Sequence, residues 1–288
     1  MTTPQLVGKP NSAPPPAPED TPGPAVAWDG SPFLTQIQVL TGRSLRALAT
    51  DPSVILFSLA QPAIILFMLT QVFSGMGLPP HFPEGVRYLD FVMPAVLVDN
   101  AVHSAIQSGI GVVDDLKNGM VARLRSLPVH PSSLLIARSL ANLVRAAIQI
   151  AVVIVLAVTV LGYSPKGGAG KLLASAGLTL FLAWSLGWVF IAAAAWLRRA
   201  EPMQNLAVIA IFPLMFASSA YVPVDDLPAW LGAVARANPL TYAIDTTRAL
   251  ALDLPGTGSL LPALLISAGL AVVGGWLAVV GFRRPLTS

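Results

Sequence analysis

Cysteine is absent from this chain of 288 residues, and histidine is rare. Without cysteine the protein can form neither a disulfide nor a cysteine-ligated metal site. The three histidines, His81, His103 and His130, are far apart in sequence and do not have the spacing of metal ligands. We therefore predict no metal site, no bound cofactor and no catalytic residues.

Charged residues are also scarce, at 11% of the chain against about 25% in an ordinary soluble domain. Hydrophobic residues make up 55%, and the mean hydropathy is +0.71. This composition predicts an all-α integral membrane protein with several spans and little room for a separate soluble domain. The net charge of +3 indicates no nucleic-acid partner, because basic cytoplasmic loops explain it.

The first 30 residues differ from the rest in being rich in proline. The run from Pro14 to Pro16 cannot lie inside a helix, and the segment has no apolar stretch resembling a signal peptide. We expect residues 1–30 to be a disordered cytoplasmic tail and residues 31–288 to be the membrane domain.

A helix is expected over Ser31 to Thr50, just before the first apolar stretch. Its apolar residues share one face and two arginines lie away from it, which is typical of a helix in the membrane interface. The apolar face is formed by Phe33, Ile37, Leu40, Ala47 and Leu48, and the arginines are Arg43 and Arg46.

Six stretches have about the 20 residues that a bilayer requires. They run from Ser53 to Phe73, Leu89 to Val113, Leu134 to Leu161, Leu172 to Leu197, Asn205 to Val222 and Leu260 to Phe282. Between the last two, Pro223 to Gly258 is too apolar for a plain loop and too short to span. We expect one or two short re-entrant helices there, with a bend at Asn238-Pro239.

Basic residues predict the orientation. With both termini in the cytoplasm, 12 of the 17 basic residues lie inside and 5 outside. The inner set is Lys9, Arg43, Arg46, Lys117, Arg123, Arg125, Arg138, Arg145, Arg198, Arg199, Arg283 and Arg284. We therefore expect a multi-pass protein of the cell inner or plasma membrane.

The segment Asp114 to Pro128, DDLKNGMVARLRSLP, is a basic island between the second and third apolar stretches. Its apolar residues Leu116, Met120, Leu124 and Leu127 recur with the spacing of one helix face, and Lys117, Arg123 and Arg125 fall off that face. Two interpretations stay open on the residues alone. The helix lies on anionic headgroups, or a soluble partner grips it.

Several polar and aromatic residues of the spans are candidates for a transport pathway. Asp99, followed by His103, could serve as a proton relay or contact cargo, but an interhelical hydrogen bond is the interpretation we favour. The remaining candidates are equally compatible with ordinary packing: Gln61, Phe67, Gln71, Phe212 and Met215.

A nucleotide site is not recognisable. The only stretch rich in glycine and lysine, Ser164 to Leu172, has Pro165 and Leu172 where a phosphate-binding loop needs glycine and a hydroxyl residue. If ATP drives this protein, another subunit must bind it.

Five segments resemble the ABC-2 type exporter permeases, and most closely the membrane subunit of the daunorubicin-resistance type. The resemblance covers roughly residues 33 to 284. The most specific segments are DDLKNGMVARLRSLPVHPSSLLIARSLAN (Asp114 to Asn142) and FPLMFASSAYVPVDDLPAWLGAVARANPLTY (Phe212 to Tyr242). The others are TGRSLRALATDP (Thr41 to Pro52), QPAIILFMLTQVFSGM (Gln61 to Met76) and RYLDFVMPAVLV (Arg87 to Val98). One departure is Pro94-Ala95, where the family usually has Pro-Gly.

The resemblance implies a permease that pairs with a second, identical or homologous permease and docks on a separate cytoplasmic ATPase. That ATPase would bind the ATP, and the permease itself would not be an enzyme. The docking helix would present Asp115, Leu116, Gly119, Arg123, Leu124, Arg125, Leu127 and Pro128. The interfacial helix would flank it, and the pathway would run between the two permeases along the first, second and fifth spans. Cargo in this family is lipophilic: drugs, secondary metabolites, lipids or lipid-linked glycans.

A second hypothesis remains beside this one. A proton-coupled secondary transporter would use Asp99 and His103 and would need no ATPase.

Overall fold

A computed structural model describes residues 32–49, 52–74, 82–120, 131–254 and 260–284. Within these ranges every regular element is a helix. The α-helices are α1 (Phe33–Ala49), α2 (Pro52–Ser74), α3 (Tyr88–Lys117), α4 (Pro131–Thr159), α5 (Gly168–Leu197), α6 (Ala200–Phe216), α7 (Ala229–Ala237), α8 (Pro239–Leu252) and α9 (Leu260–Arg283). A single 3-10 turn, Val224–Asp226, precedes α7. The expected tail, residues 1–30, lies outside the described residues.

Four of the described helices are long and apolar enough to cross a membrane: Tyr88–Lys117, Ser132–Thr159, Gly168–Leu197 and Leu260–Arg283. They match the second, third, fourth and sixth expected spans. The first and fifth expected spans are helical as well, but their described apolar stretches, Ala60–Val72 and Glu201–Phe216, are shorter than a bilayer requires.

The fifth expected span differs from the structure at its C-terminal end. It was expected to continue to Val222, whereas α6 ends at Phe216. Asn238 explains the early end, because its amide nitrogen donates to the carbonyls of Leu214 and Ala217 at 2.6 and 2.7 Å. The last carbonyls of a helix have no partner within it, so this side chain satisfies two of them.

Helix α3 lies at the centre of the fold, with most of its length buried. It packs most extensively against α5, which in turn packs against α9. Both contacts are close because glycine removes the side chain at the crossing. A Cβ on Gly109 would lie 2.7 Å from the Phe190 carbonyl oxygen, and one on Gly274 would lie 2.8 Å from the backbone of Trp188 and Val189.

Helix α1 packs mainly against α4. Of the residues expected on its apolar face, Ile37 and Leu40 are half-buried, whereas Phe33 is exposed. Arg43 and Arg46 are exposed, as expected for the opposite face. The side chains of Ala47 and Leu48 lie outside the described part.

The segment after α6 contains two short helices, α7 and α8, separated by the expected bend at Asn238-Pro239. Asn238 caps α8, since its side-chain oxygen accepts a hydrogen bond from the Leu240 amide at 2.9 Å, and Pro239 occupies the first helical position. Arg248 of α8 is 5% exposed and anchors the helix to the core. Its guanidinium lies 3.7 Å from the centre of the Phe91 ring at the start of α3.

Candidate functional site

A cavity of about 660 Å³ lies between α2, α3, α6 and the segment that leads into α7. Its volume is in the range of small-molecule sites in proteins. Its lining is Gln61, Ile65, Leu69, Asp99, His103, Val208, Ile211, Phe212, Met215, Phe216, Ser218, Tyr221, Val222, Leu227 and Leu231. The cavity therefore brings together residues that are more than 100 positions apart in sequence.

Aromatic rings form one wall of this cavity. The rings of Phe212 and Phe216, one helical turn apart on α6, are nearly parallel, with centroids 5.9 Å apart and an interplanar angle of 4°. The Tyr221 ring lies 5.4 Å from that of Phe216. Flat aromatic surfaces of this kind pack well against planar or lipophilic molecules.

Another part of the lining carries three polar residues that contact one another. His103 Nδ1 lies 3.0 Å from the Asp99 carbonyl oxygen and 3.5 Å from the Asp99 carboxylate, and His103 Nε2 lies 3.2 Å from the Gln61 amide nitrogen. A proton on Nδ1 satisfies all three contacts, because Nε2 then accepts from the Gln61 amide. Gln61 thus links α2 to α3, and the carboxylate of Asp99 is held at the edge of an apolar space.

The candidate pathway residues divide into two groups. Gln61, Asp99, Phe212 and Met215 line the cavity, whereas Phe67 and Gln71 do not. Phe67 and Gln71 are one turn apart on another face of α2, and Phe67 is 51% exposed. The structure thus brings four of the six candidates together.

Other lining residues were not among the pathway candidates. Tyr221, Ser218 and Leu231 come from the turn after α6 and from α7. Helical periodicity gives no signal for them, because their position depends on how the chain folds back after Phe216. His103, considered only for proton transfer, also belongs to the lining.

A second region of interest is the end of α3 that leads into the basic island. The island was expected to be a separate helix from Asp114, but Asp114 to Lys117 form the last turn of α3. That start was wrong because the apolar packing of α3 continues through this turn, where Leu116 packs partly buried against the core. Gly119 then takes a φ of 66°, which favours glycine. Residues 121–130, with Arg123, Leu124, Arg125, Leu127 and Pro128, lie outside the described residues.

Asp115, one of the candidate docking residues, faces the interior. It is 5% exposed, and its carboxylate accepts a hydrogen bond from Arg138 Nε of α4 at 2.6 Å. A Cβ on Gly111 would lie 2.9 Å from Arg138 Nη1, so glycine makes room for the guanidinium. This ion pair connects the two helices that flank the basic island.

The interfacial helix reaches the same region. Arg43 of α1 contacts the sulfur of Met120, the last described residue before the gap in the island. Met120 and Leu116 both pack against the core. The contact places α1 beside the start of the basic island.

Removing Arg138 is expected to destabilise the protein by about 2–4 kcal/mol, because Asp115 would remain as a buried carboxylate without a partner. Arg138→Gln tests this by thermal unfolding in detergent. Arg138→Gln combined with Asp115→Asn should recover part of the loss, since no unpaired charge remains. The exposed residue Arg46, changed to Gln, is the control, with an effect within about 0.5 kcal/mol. Equal unfolding temperatures for Arg138→Gln and Arg46→Gln would contradict the structural role of the pair.

Comparison with known proteins decides the family. The profile of the ABC-2 type transporter family matches residues 35–252, which include most of α1 and all of α2 to α8. The chain belongs to the ABC-2 type transporter family. Both the cavity and the basic island lie within the matched region of this permease.

Three relatives illustrate the range of similar permeases. The chain is 26% identical over 232 residues to the daunorubicin resistance ABC transporter permease protein DrrB1 of Streptomyces coeruleorubidus, with 80% of each chain covered. It is 25% identical over 255 residues to the probable doxorubicin resistance ABC transporter permease protein DrrC of Mycobacterium tuberculosis, covering 88% of this chain and 91% of the relative. A putative transport permease, ycf38 of Pyropia yezoensis, is 25% identical over 218 residues, covering 75% and 74% of the two chains.

Proposed function

We propose that this ABC-2 permease is the membrane subunit of an ATP-driven exporter of lipophilic compounds. The apolar cavity between α2, α3 and α6 is the observation that carries the proposal, because it offers a bulky lipophilic molecule an aromatic wall and few polar partners. The relatives named for daunorubicin and doxorubicin resistance support drugs or secondary metabolites as cargo. Lipids and lipid-linked glycans share the same chemistry and belong to the proposal.

The energy source in this proposal is a separate cytoplasmic ATPase. The chain has no phosphate-binding loop, so ATP must bind elsewhere. The basic island between α3 and α4 is the docking element, and α1 flanks it through the contact of Arg43 with Met120. The Asp115–Arg138 pair holds the two helices that would receive a rigid-body movement of the ATPase.

The proposal extends to the assembly in the membrane. The permease crosses the inner or plasma membrane six times, with α2 and α6 as the first and fifth spans, and both termini lie in the cytoplasm. A second permease, identical or homologous, faces α2 and α6. Phe67 of α2 and Ile209 of α6 do not line the cavity and are exposed in the single chain, as a surface facing a partner within the membrane would be.

Co-purification tests the proposed function directly. The tagged chain is isolated in mild detergent from its native membranes. It is expected to co-purify with stoichiometric amounts of an ATPase and of a second permease, which are identified by mass spectrometry. A folded permease that is recovered without any ATPase contradicts the proposal.

Filling the cavity is expected to reduce export without disturbing assembly. Ile211→Trp places a large ring in the cavity, and a loss of about 1.4 kcal/mol or more of cargo binding energy lowers cargo affinity about tenfold or more. Val272→Trp on α9 is the matched control, because Val272 is 72% exposed and does not line the cavity. Export is measured as efflux of a fluorescent lipophilic drug from cells that express the complex. Equal efflux for both variants would mean that cargo does not pass through this cavity.

A further inference from the structure

A second, smaller groove lies between α5 and α9. It has a volume of about 350 Å³, and its lining is apolar: Val189, Ala192, Ala193, Trp196, Leu270, Val273, Gly274 and Leu277. None of these residues lines the larger cavity. The groove is open because small residues on both helices leave a furrow between the flanking large side chains.

The two helices that form the groove run in the same direction. Gly274 lies against Trp188 and Val189, and Gly281, seven residues later, lies against Trp196. The C-terminal ends of α5 and α9 therefore meet at one end of the groove. On the proposed orientation this end faces the cytoplasm.

Four arginines gather at that end of the groove. Arg198 donates to the carbonyls of Gly281 and Arg284 at 3.1 and 3.0 Å, so its guanidinium ties the two helix ends together. Arg199, Arg283 and Arg284 are exposed. Among the described residues, no carboxylate forms an ion pair with these three arginines.

Trp196 connects the arginines to the groove. Its indole ring lines the groove and donates its N–H to the Leu277 carbonyl at 3.2 Å, while the Arg284 guanidinium stacks on the ring at 3.6 Å from the centroid. A cation is thus fixed at the mouth of an apolar furrow. Tryptophan at the level of the headgroups, with arginine beside it, is a combination suited to the membrane interface.

We propose that this groove binds an anionic phospholipid of the inner leaflet. One acyl chain lies in the furrow between α5 and α9, and the phosphate and its negative headgroup contact Arg283, Arg284 and Arg199. The alternative interpretation is that the arginines at this span end only set the orientation of the protein. The apolar groove beginning at the Arg284–Trp196 stack adds a place for the chain of a lipid, which an acidic peptide would not occupy.

The surroundings of the groove support a lipid rather than a protein as occupant. On α9, Val273 in the groove and Val272 and Trp276 beside it are largely exposed and apolar, as expected for a face in contact with acyl chains. Basic pockets between spans on the cytoplasmic side are suited to anionic headgroups. The occupant is therefore defined by both of its parts, a hydrocarbon chain and a negative charge.

Lipid titration of the purified full-length chain in neutral detergent tests the proposal. Dioleoyl phosphatidylglycerol is expected to raise the unfolding temperature by about 5 °C or more, and dioleoyl phosphatidylcholine by clearly less. Native mass spectrometry should show retained phosphatidylglycerol. Equal effects of the two lipids would overturn the proposal, and inorganic phosphate that reproduces the shift would reveal an anion site without lipid specificity.

Two variants examine the two parts of the site. Arg283→Gln with Arg284→Gln is expected to weaken phosphatidylglycerol binding by about 10- to 30-fold. Ala193→Leu, which fills the groove, should weaken binding of both lipids. Lys166→Gln with Arg236→Gln removes the same charge at the opposite end of the spans and should change nothing. A charge variant that keeps the preference for phosphatidylglycerol would refute the headgroup site.

If the arginine variant fails to fold, salt provides a second measurement on the unaltered chain. The preference for phosphatidylglycerol must fall strongly at about 1 M salt, where exposed charges are screened within about 3 Å. A preference that is independent of salt would count against the arginines. Neither result depends on the ATPase, so failure here leaves the proposed export function untouched.

Discussion

Exchange of Arg123 and Arg125 for glutamate is expected to remove the ATPase from the purified complex while the permease still inserts in the membrane. Both arginines lie off the apolar stripe of the basic island, so they are free to face a soluble partner. Reversal of two charges at a docking surface replaces attraction by repulsion. It weakens ATPase binding by about 2–5 kcal/mol, which is a loss of thirtyfold or more in affinity. The ratio of ATPase to permease after affinity purification measures this effect.

A control with the same change of charge separates docking from general electrostatics. Lys166→Glu with Arg236→Glu alters the opposite end of the molecule and should leave the ATPase ratio unchanged. Asp99→Asn, which removes the carboxylate at the cavity, should also leave it unchanged. If the Arg123→Glu, Arg125→Glu permease is folded and still carries stoichiometric ATPase, the basic island is not the docking element.

The long apolar helices were the part of the fold that the sequence predicted best. Hydrophobic length alone locates α3, α4, α5 and α9, because only a continuous apolar helix satisfies its backbone in a bilayer. Helix ends were predicted less well. α6 ends at Phe216 because Asn238, more than 20 residues further on, satisfies its last carbonyls. Spacing within α6 contains no information about that contact.

The candidate site also combines residues that the sequence predicted with residues whose position depends on distant contacts. Polar and bulky residues within spans are natural candidates for a pathway, and four of those selected line the cavity: Gln61, Asp99, Phe212 and Met215. The sequence could not tell that Phe67 faces away from it, since all faces of α2 are apolar. Asp115 illustrates the converse case. A carboxylate beside a basic island suggests an exposed charge, but Arg138 of the next helix buries it in an ion pair.

Replacement of Arg248 by methionine is expected to have the largest effect on folding of any single substitution considered for this protein. Its spacing of three residues from Asp245 predicts a local pair on one helix face, and this pair is present at 3.0 Å. The guanidinium also donates to the carbonyls of Phe91 and Ser219 at 3.0 and 2.7 Å. Burial lowers the pKa of Arg248 to about 10, with the Asp245 carboxylate opposing the shift, so the group stays cationic at neutral pH.

Methionine keeps most of the volume of Arg248 but removes the donor to Asp245 and to three backbone carbonyls, those of Phe91, Ser219 and Ala220. Each unsatisfied buried carbonyl costs about 1–3 kcal/mol, so a loss of about 3–5 kcal/mol follows even with some relaxation. Arg248 connects α8 to the start of α3 and to the turn that follows α6. Without this connection, the part of the cavity lining that contains Ser218 and Tyr221 should lose its fixed position. We expect little monodisperse protein in detergent and a strongly lowered unfolding temperature.

Arg248→Lys and Arg236→Met make the test specific. Lysine retains the charge but lacks the planar fork that reaches four acceptors, so it should recover less than half of the loss. Arg236 pairs with Asp225 at 3.1 Å on the surface, and its loss should cost no more than about 0.5 kcal/mol. If Arg248→Met unfolds at the temperature of Arg236→Met, the buried guanidinium does not hold α8 in place. The cavity wall must then depend on the Asn238 hydrogen bonds to Leu214 and Ala217, and Asn238→Ala becomes the variant that opens it.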